Sequence, residues 1–242
     1  MRTNRYNGSG VGKIGLHALV LGATGLVGGE VVQELLRSEA YEEVRVLSRR
    51  PLGIQHSKLL ETIIDLEQLE ENAKHFFGVR DVFCCLGTTI RKAGSQVKFR
   101  KVDLEYPLRA AKISRQQGVK QFLAVSAMGA DPSSRVFYNC VKGEAEQVIS
   151  SVGLPGVHLF RPSLLLGDRK EFRLGEKAGA LVMKGLDPLM RGRASKYRAI
   201  PAATLARAMV TIALTSTAGT HVYPNDVIHV LGTGTADSAY IL

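Results

Sequence analysis

Residues 17–28 read His-Ala-Leu-Val-Leu-Gly-Ala-Thr-Gly-Leu-Val-Gly, a short apolar run that ends in three glycines spaced GxxGxxG. His17 to Leu21 has the length and composition of a buried strand, and Val27, Val31, Leu35 and Leu36 follow at helical spacing. Glycines in a strand–turn–helix permit a tight turn and a close approach of backbone to a pyrophosphate. The amides that open the helix then bind it. Gly22, Thr24, Gly25, Leu26, Val27 and Gly28 are therefore expected to cradle a dinucleotide phosphate.

Outward from this stretch, apolar β-type runs alternate with helical periods, without a long linker or an internal repeat. Strand candidates are Val44–Leu47, Glu61–Ile64, Val82–Leu86, Phe122–Val125 and Val157–Phe160. Helical patterns cover 97–117, closed by Gly118, and 138–150. Such alternation, with strands apolar throughout, predicts an α/β fold: a doubly wound, Rossmann-like parallel sheet with helices on both faces. Residues 1–16, with four glycines, read as a flexible tail before a single domain over 17–242. Residues 167–198, rich in Gly, Lys and Arg, read as a small substrate-side cap whose basic residues would favour an anionic or polar substrate.

Ligands in such sheets sit beyond the carboxyl ends of the strands, so the residues after each strand carry the functional expectation. After the second strand, where an NAD site would place an acid, stand Arg49 and Arg50. Guanidinium matches phosphate through paired hydrogen bonds, which favours NADP(H). Asp65 ends the third strand, either as an acceptor for an adenine amino group or as a helix N-cap. The fourth runs into Leu86, Gly87, Thr88 and Thr89, where glycine lets the chain pass close to a cofactor and the hydroxyls could reach ribose or phosphate. Cys84 and Cys85 read as small core residues. The fifth delivers Ser126, and Tyr138 and Lys142 follow at the start of a helix with spacing i, i+4 on one face. A lysine ammonium beside a phenol favours phenolate, which makes tyrosine a usable acid/base near neutrality.

In combination, GATGLVG, the strand-end Arg pair, CCLGTT and Ser126/Tyr138/Lys142 resemble the short-chain dehydrogenase/reductase superfamily in its extended or atypical forms. FCCLGTT, KAG, FYNCVKGEAE and FRPSLLLGDR look more narrowly like its Tat-interacting oxidoreductase-like branch and bacterial relatives. The resemblance implies NADPH binding, with Ser126, Tyr138 and Lys142 in the reductase roles and Lys142 also on the nicotinamide ribose. Arg161 and Pro162 would lie near the nicotinamide. Many members carry Asn where this chain has Asp103, to which no role is assigned.

Two functions follow. The first is NADPH-dependent reduction of a carbonyl on a small molecule, with Tyr138 as proton donor. The alternative is a regulatory or protein-interaction module that senses NADP(H) without significant turnover. The 242 residues carry 32 Lys plus Arg against 22 acids, a net charge of +10. Acids interleave with the bases throughout, so the charge suits an anionic small ligand and disfavours nucleic acid. No apolar run approaches the roughly 18 residues of a membrane span. The six histidines form no short-spaced ligand pair, so no metal site is expected, and no GxSxG elbow appears. Residues 1–15 lack the apolar core of a secretory leader and the three cysteines suggest no disulfide framework, so the expectation is a cytoplasmic protein. A protein partner and a homodimer stay open.

Overall fold

The computed structural model describes residues 15–167 and 197–234. Its strands are β1 (Leu16–Leu21), β2 (Tyr41–Ser48), β3 (Leu59–Ile63), β4 (Asp81–Cys84), β5 (Gln121–Val125), β6 (Gly156–Arg161), β7 (Leu165–Leu166), β8 (Ile200–Pro201) and β9 (Gly219–Pro224). Seven of them form one parallel sheet in the order β3-β2-β1-β4-β5-β6-β9, while β7 and β8 pair separately. Strand order reverses between β1 and β4, which places a crevice at the carboxyl ends of those two strands.

Successive side chains of a strand point to opposite faces, and here both faces are dry. Val82 and Cys84 enter one core and Phe83 the other. Phe122 and Leu123 divide in the same way, as do Leu159 and Phe160. The first core packs under α1 (Leu26–Arg37), which contributes Val31 and Leu35, and under α6 (Ala202–Thr215), which contributes Leu205 and Met209. The second packs under α4 (Tyr106–Gln116), through Ala110 and Ile113, and under α5 (Phe137–Ser150), through Ile149. Fully buried leucine or phenylalanine side chains contribute about 1.5–3 kcal/mol each, so this two-sided burial carries the fold.

The doubly wound sheet and the helix expected over 138–150 form as anticipated. Leu16 opens β1, so the strand takes in the last residue assigned to the tail. Leu86 lies beyond the end of β4. The helix expected over 97–117 forms in three segments. After the short α2 (Ile90–Ala93) comes α3 (Gln96–Arg100), a π-helical turn at Lys101–Glu105, and then α4, with Gly118 at φ +75° past its end. Neither β9 nor the closing α7 (Asn225–Thr233) was expected. Most of the anticipated cap over 167–198 lies outside the described residues, as does nearly all of the N-terminal tail.

Candidate functional site

The glycine turn forms between β1 and α1. Gly22 stands at φ +82°, and Gly25 donates its N–H to the Gly22 carbonyl at 2.9 Å. A Cβ at Gly28 would lie 2.2 Å from that same carbonyl oxygen, so the helix can seat against the turn only with glycine there. Gly25 caps α1 without a side-chain bond, and no acid stands in the first turn. The opening amides are thus left for an outside acceptor, beside the exposed Thr24 and Gly25. Leu26 is half-buried, and the Val27 and Gly28 side of the turn faces the core. A cradle that a single Cβ would fill, at a positive helix end, fits a pyrophosphate.

Arg49 and Arg50 follow β2, both exposed, with neither guanidinium in a hydrogen bond or ion pair among the described residues. Asp65 takes the second of its two sequence readings. It is an N-cap, accepting from the Glu67 N–H at 3.0 Å at the start of a 3-10 turn over Leu66–Gln68. Thr89 is likewise a cap, its hydroxyl oxygen accepting from the Lys92 N–H at the start of α2. The Thr88 N–H donates to Oδ2 of Asp103 at 2.8 Å. Leu86 is buried, and Gly87 faces the site: a Cβ there would stand 3.4 Å from Oδ1 of Asp103. Cys84 is a core residue whose thiol burial pushes up to about 11, which leaves it inert as a nucleophile.

Tyr138, Lys142 and Glu146 recur at i, i+4 and i+8 on α5 and form one stripe along it. Tyr138, in the first turn, is 36% exposed, with its ring tilted against Phe99 at 5.7 Å. It lines a cleft of about 390 Å³ with Ser126, Met128, Pro162, Leu165 and Tyr197. Lys142, one turn deeper, is 6% exposed, and its Nζ lies 2.7 Å from Oδ1 of Asp103, itself 2% exposed in the π-helical turn. Burial opposes a charge on Lys142, but attraction to Asp103, then Tyr138, outweighs it and holds the ammonium above the ordinary lysine value. The structure therefore brings Tyr138 and Ser126 to one cleft and sets Lys142 behind them as a cation.

Ser126 lines the cleft, but its hydroxyl hydrogen, like the Arg161 guanidinium, is directed to Glu146 rather than to substrate or nicotinamide. The Ser126 hydroxyl donates to Oε1 of Glu146 at 2.5 Å. Arg161 donates its Nε to the same oxygen at 2.9 Å and a terminal nitrogen to Oε2 at 2.5 Å. The reason is local: Ser126 follows β5 and Arg161 ends β6, two paired strands, and Glu146 closes over both from α5. Sequence reasoning named Asp103 without giving it a role and left Glu146 out. For Glu146 a signal existed, the continuation of the Tyr138/Lys142 spacing by one more turn.

A family model described as NAD(P)H-binding matches residues 22–215. The chain belongs to this NAD(P)H-binding family. It is 38% identical over 194 residues to Protein HTATIP2 of Rattus norvegicus, covering 79% of this chain and 78% of that protein. It is 34% identical over 160 residues to Protein FMP52, mitochondrial, of Debaryomyces hansenii, covering 64% and 70%. Its backbone is similar to that of MoeE5 solved in complex with UDP-glucose and NAD, at a TM-score of 0.65, 19% identity, and coverage of 85% and 74%. The resemblance read from the motifs thus holds for an NAD(P)H-binding family and a Rossmann-like fold. The cytoplasmic expectation does not, because the fungal FMP52 relatives are named mitochondrial. The inference failed because a missing apolar leader core speaks only to secretion; mitochondrial leaders are amphipathic and basic instead.

Proposed function

We propose that the protein is an NADP(H)-dependent carbonyl reductase acting on a small molecule. The observation that carries this reading is the α5 stripe: a half-exposed Tyr138 on the cleft wall, with the buried cation Lys142 one turn behind it. The glycine turn of Gly22, Gly25 and Gly28 would hold the pyrophosphate, Leu86–Thr89 would border the cofactor, and Lys142 would hold the nicotinamide ribose. Bound NADPH supplies hydride. Tyr138 gives its phenolic proton to the substrate oxygen, and the Lys142 ammonium favours the negative charge that this leaves on the phenol. The described lining of the cleft, serine and tyrosine hydroxyls among apolar side chains, suits an uncharged carbonyl compound with an apolar face.

Arg49 and Arg50 support NADP(H) over NAD(H): two guanidinium groups without a partner among the described residues, at the end of β2, where a ribose-binding acid would stand in an NAD site. The test is a titration with NADPH, NADP, NADH and NAD, followed by thermal unfolding. Ligand at a hundred times its dissociation constant stabilises by about 2.7 kcal/mol, a rise of roughly 5–11 °C for a chain of this size. The phosphorylated pair should give that rise. Equal shifts from all four would remove the preference, and no shift from any would remove the cofactor reading.

A further inference from the structure

Glu146 is a carboxylate 7% exposed in the interior of α5, where burial of a charge is costly unless it is paired and hydrogen-bonded. It has two partners: Arg161 grips both oxygens, and Ser126 donates to one of them. Two features tie this cluster to the cleft. Ser126 is shared between the cleft wall and a small internal cavity that Glu146, Lys142 and Asp103 also line. Glu146 also lies one helical turn from Lys142 and two from Tyr138, on the same stripe. A serine hydroxyl has a single hydrogen and two lone pairs. With the hydrogen committed to a carboxylate, the lone pairs are what remains for a ligand.

We infer that Glu146, fixed by Arg161, is a positioning residue that holds the Ser126 hydroxyl by its hydrogen, so that Ser126 meets a ligand in the cleft as an acceptor. The inference rests on the reductase reading. It divides the work in the cleft: Tyr138 is the donor to the carbonyl oxygen, and Ser126 accepts from a hydroxyl elsewhere on the ligand. Arg161 serves Glu146 in this arrangement, which gives it a reason to be at the end of β6 apart from any contact with cofactor.

The test uses the protein with NADPH and α-hydroxyacetophenone, a ketone that also carries a hydroxyl, as the probe. Ser126→Ala and Glu146→Gln are each expected to lower kcat/KM about tenfold or more, with NADPH dissociation unchanged. The double variant should match Ser126→Ala within about twofold, because Glu146 acts only through Ser126. Losses that multiply in the double variant would overturn the proposal. Should Glu146→Gln fail to fold for want of a charge opposite Arg161, Glu146→Asp keeps the charge but shortens the reach to Ser126. It should then give the same non-additive loss.

A thermal-unfolding cycle on the same variants needs no turnover. Each single change should lower Tm by roughly 3–10 °C, and the double change by less than the two together. Strictly additive shifts would overturn the proposal whether or not the probe is reduced. Failure of the wild type to reduce the probe, with NADPH bound, would count against the reductase reading. Coupled Tm shifts in that case would still support Glu146 as the holder of Ser126.

Discussion

The Nζ of Lys142 and the Oδ1 of Asp103 stand 2.7 Å apart, both side chains almost fully buried, one from α5 and one from the π-helical turn before α4. The second oxygen of Asp103 accepts the Thr88 N–H. One carboxylate therefore fastens the loop after β4 to the helix that carries Tyr138 and Lys142. π-helical turns inside α-helices are frequent at functional sites, and this one turns Asp103 inward.

Removing that carboxylate should be costly. Asp103→Ala leaves the Lys142 ammonium buried without its partner and is expected to destabilise by about 3–5 kcal/mol, measured by urea unfolding. Asp103→Asn keeps an acceptor for Thr88 and should cost less. The pH dependence separates the two effects. The folded-state value of Lys142 is raised, so its contribution is fully present below 10.5, the ordinary lysine value, and is lost as pH rises through the higher folded value. Asp103→Asn should remove that alkaline loss.

At the other end of the sheet two buried groups oppose each other in mild acid. Burial pushes the Asp81 carboxyl up to about 6, against the Tyr41 hydroxyl that donates to it at 2.6 Å and the Arg80 guanidinium. Burial, then the stacked His221, pushes His158 down to about 4, against a backbone hydrogen bond at Thr217. The Asp81 contribution is present at low pH and lost as pH rises through 6, whereas that of His158 is present above 6.5 and lost as pH falls through 4. Between pH 4 and 6 they offset one another. Asp81→Asn should expose the His158 term as a fall of about 2–3 kcal/mol in unfolding free energy from pH 6.5 to 4. His158→Gln should give a rise over the same window.

Gly28→Ala places a methyl group 2.2 Å from the Gly22 carbonyl oxygen. Overpacking of this kind costs about 1–3 kcal/mol, and relief requires α1 to move away from the turn. Weaker NADPH binding should accompany the lower Tm, because the shift displaces the amides at the helix start. Gly78→Ala is the control. Gly78 stands at φ +74° with open space around it, so the change should lower Tm through backbone strain and leave NADPH binding alone.

Arg49→Ala/Arg50→Ala removes two exposed side chains with no described partner, so stability should change by no more than about 0.5 kcal/mol. NADPH affinity should fall about ten- to a hundredfold, the worth of one charge-assisted hydrogen bond. NADH affinity should be unchanged. Isothermal titration of the variant with both cofactors checks this.

The frame of this molecule was legible because its signals are local. The glycine turn, the doubly apolar strands and the helical spacing of Val27, Val31 and Leu35 each need only neighbouring residues to be read. β9 escaped notice because it is an edge strand with four of its six residues exposed, and GTHVYP carries little of the apolar run that marked the others. At the site, Tyr138, Lys142 and Ser126 could be named from spacing. Where their hydrogen bonds go could not, because Asp103 and Glu146 reach them from positions set by helix packing. Asp65 and Thr89 show the opposite case, polar residues at strand ends whose side chains are taken by the next turn of chain.

The most direct measurement is the rate of NADPH-dependent reduction of a panel of small apolar ketones and aldehydes by the wild type and Tyr138→Phe. The account predicts turnover of at least one member, and a loss of about a hundredfold or more in kcat for the Phe variant with NADPH dissociation unchanged. Reduction by Tyr138→Phe at the wild-type rate would contradict it.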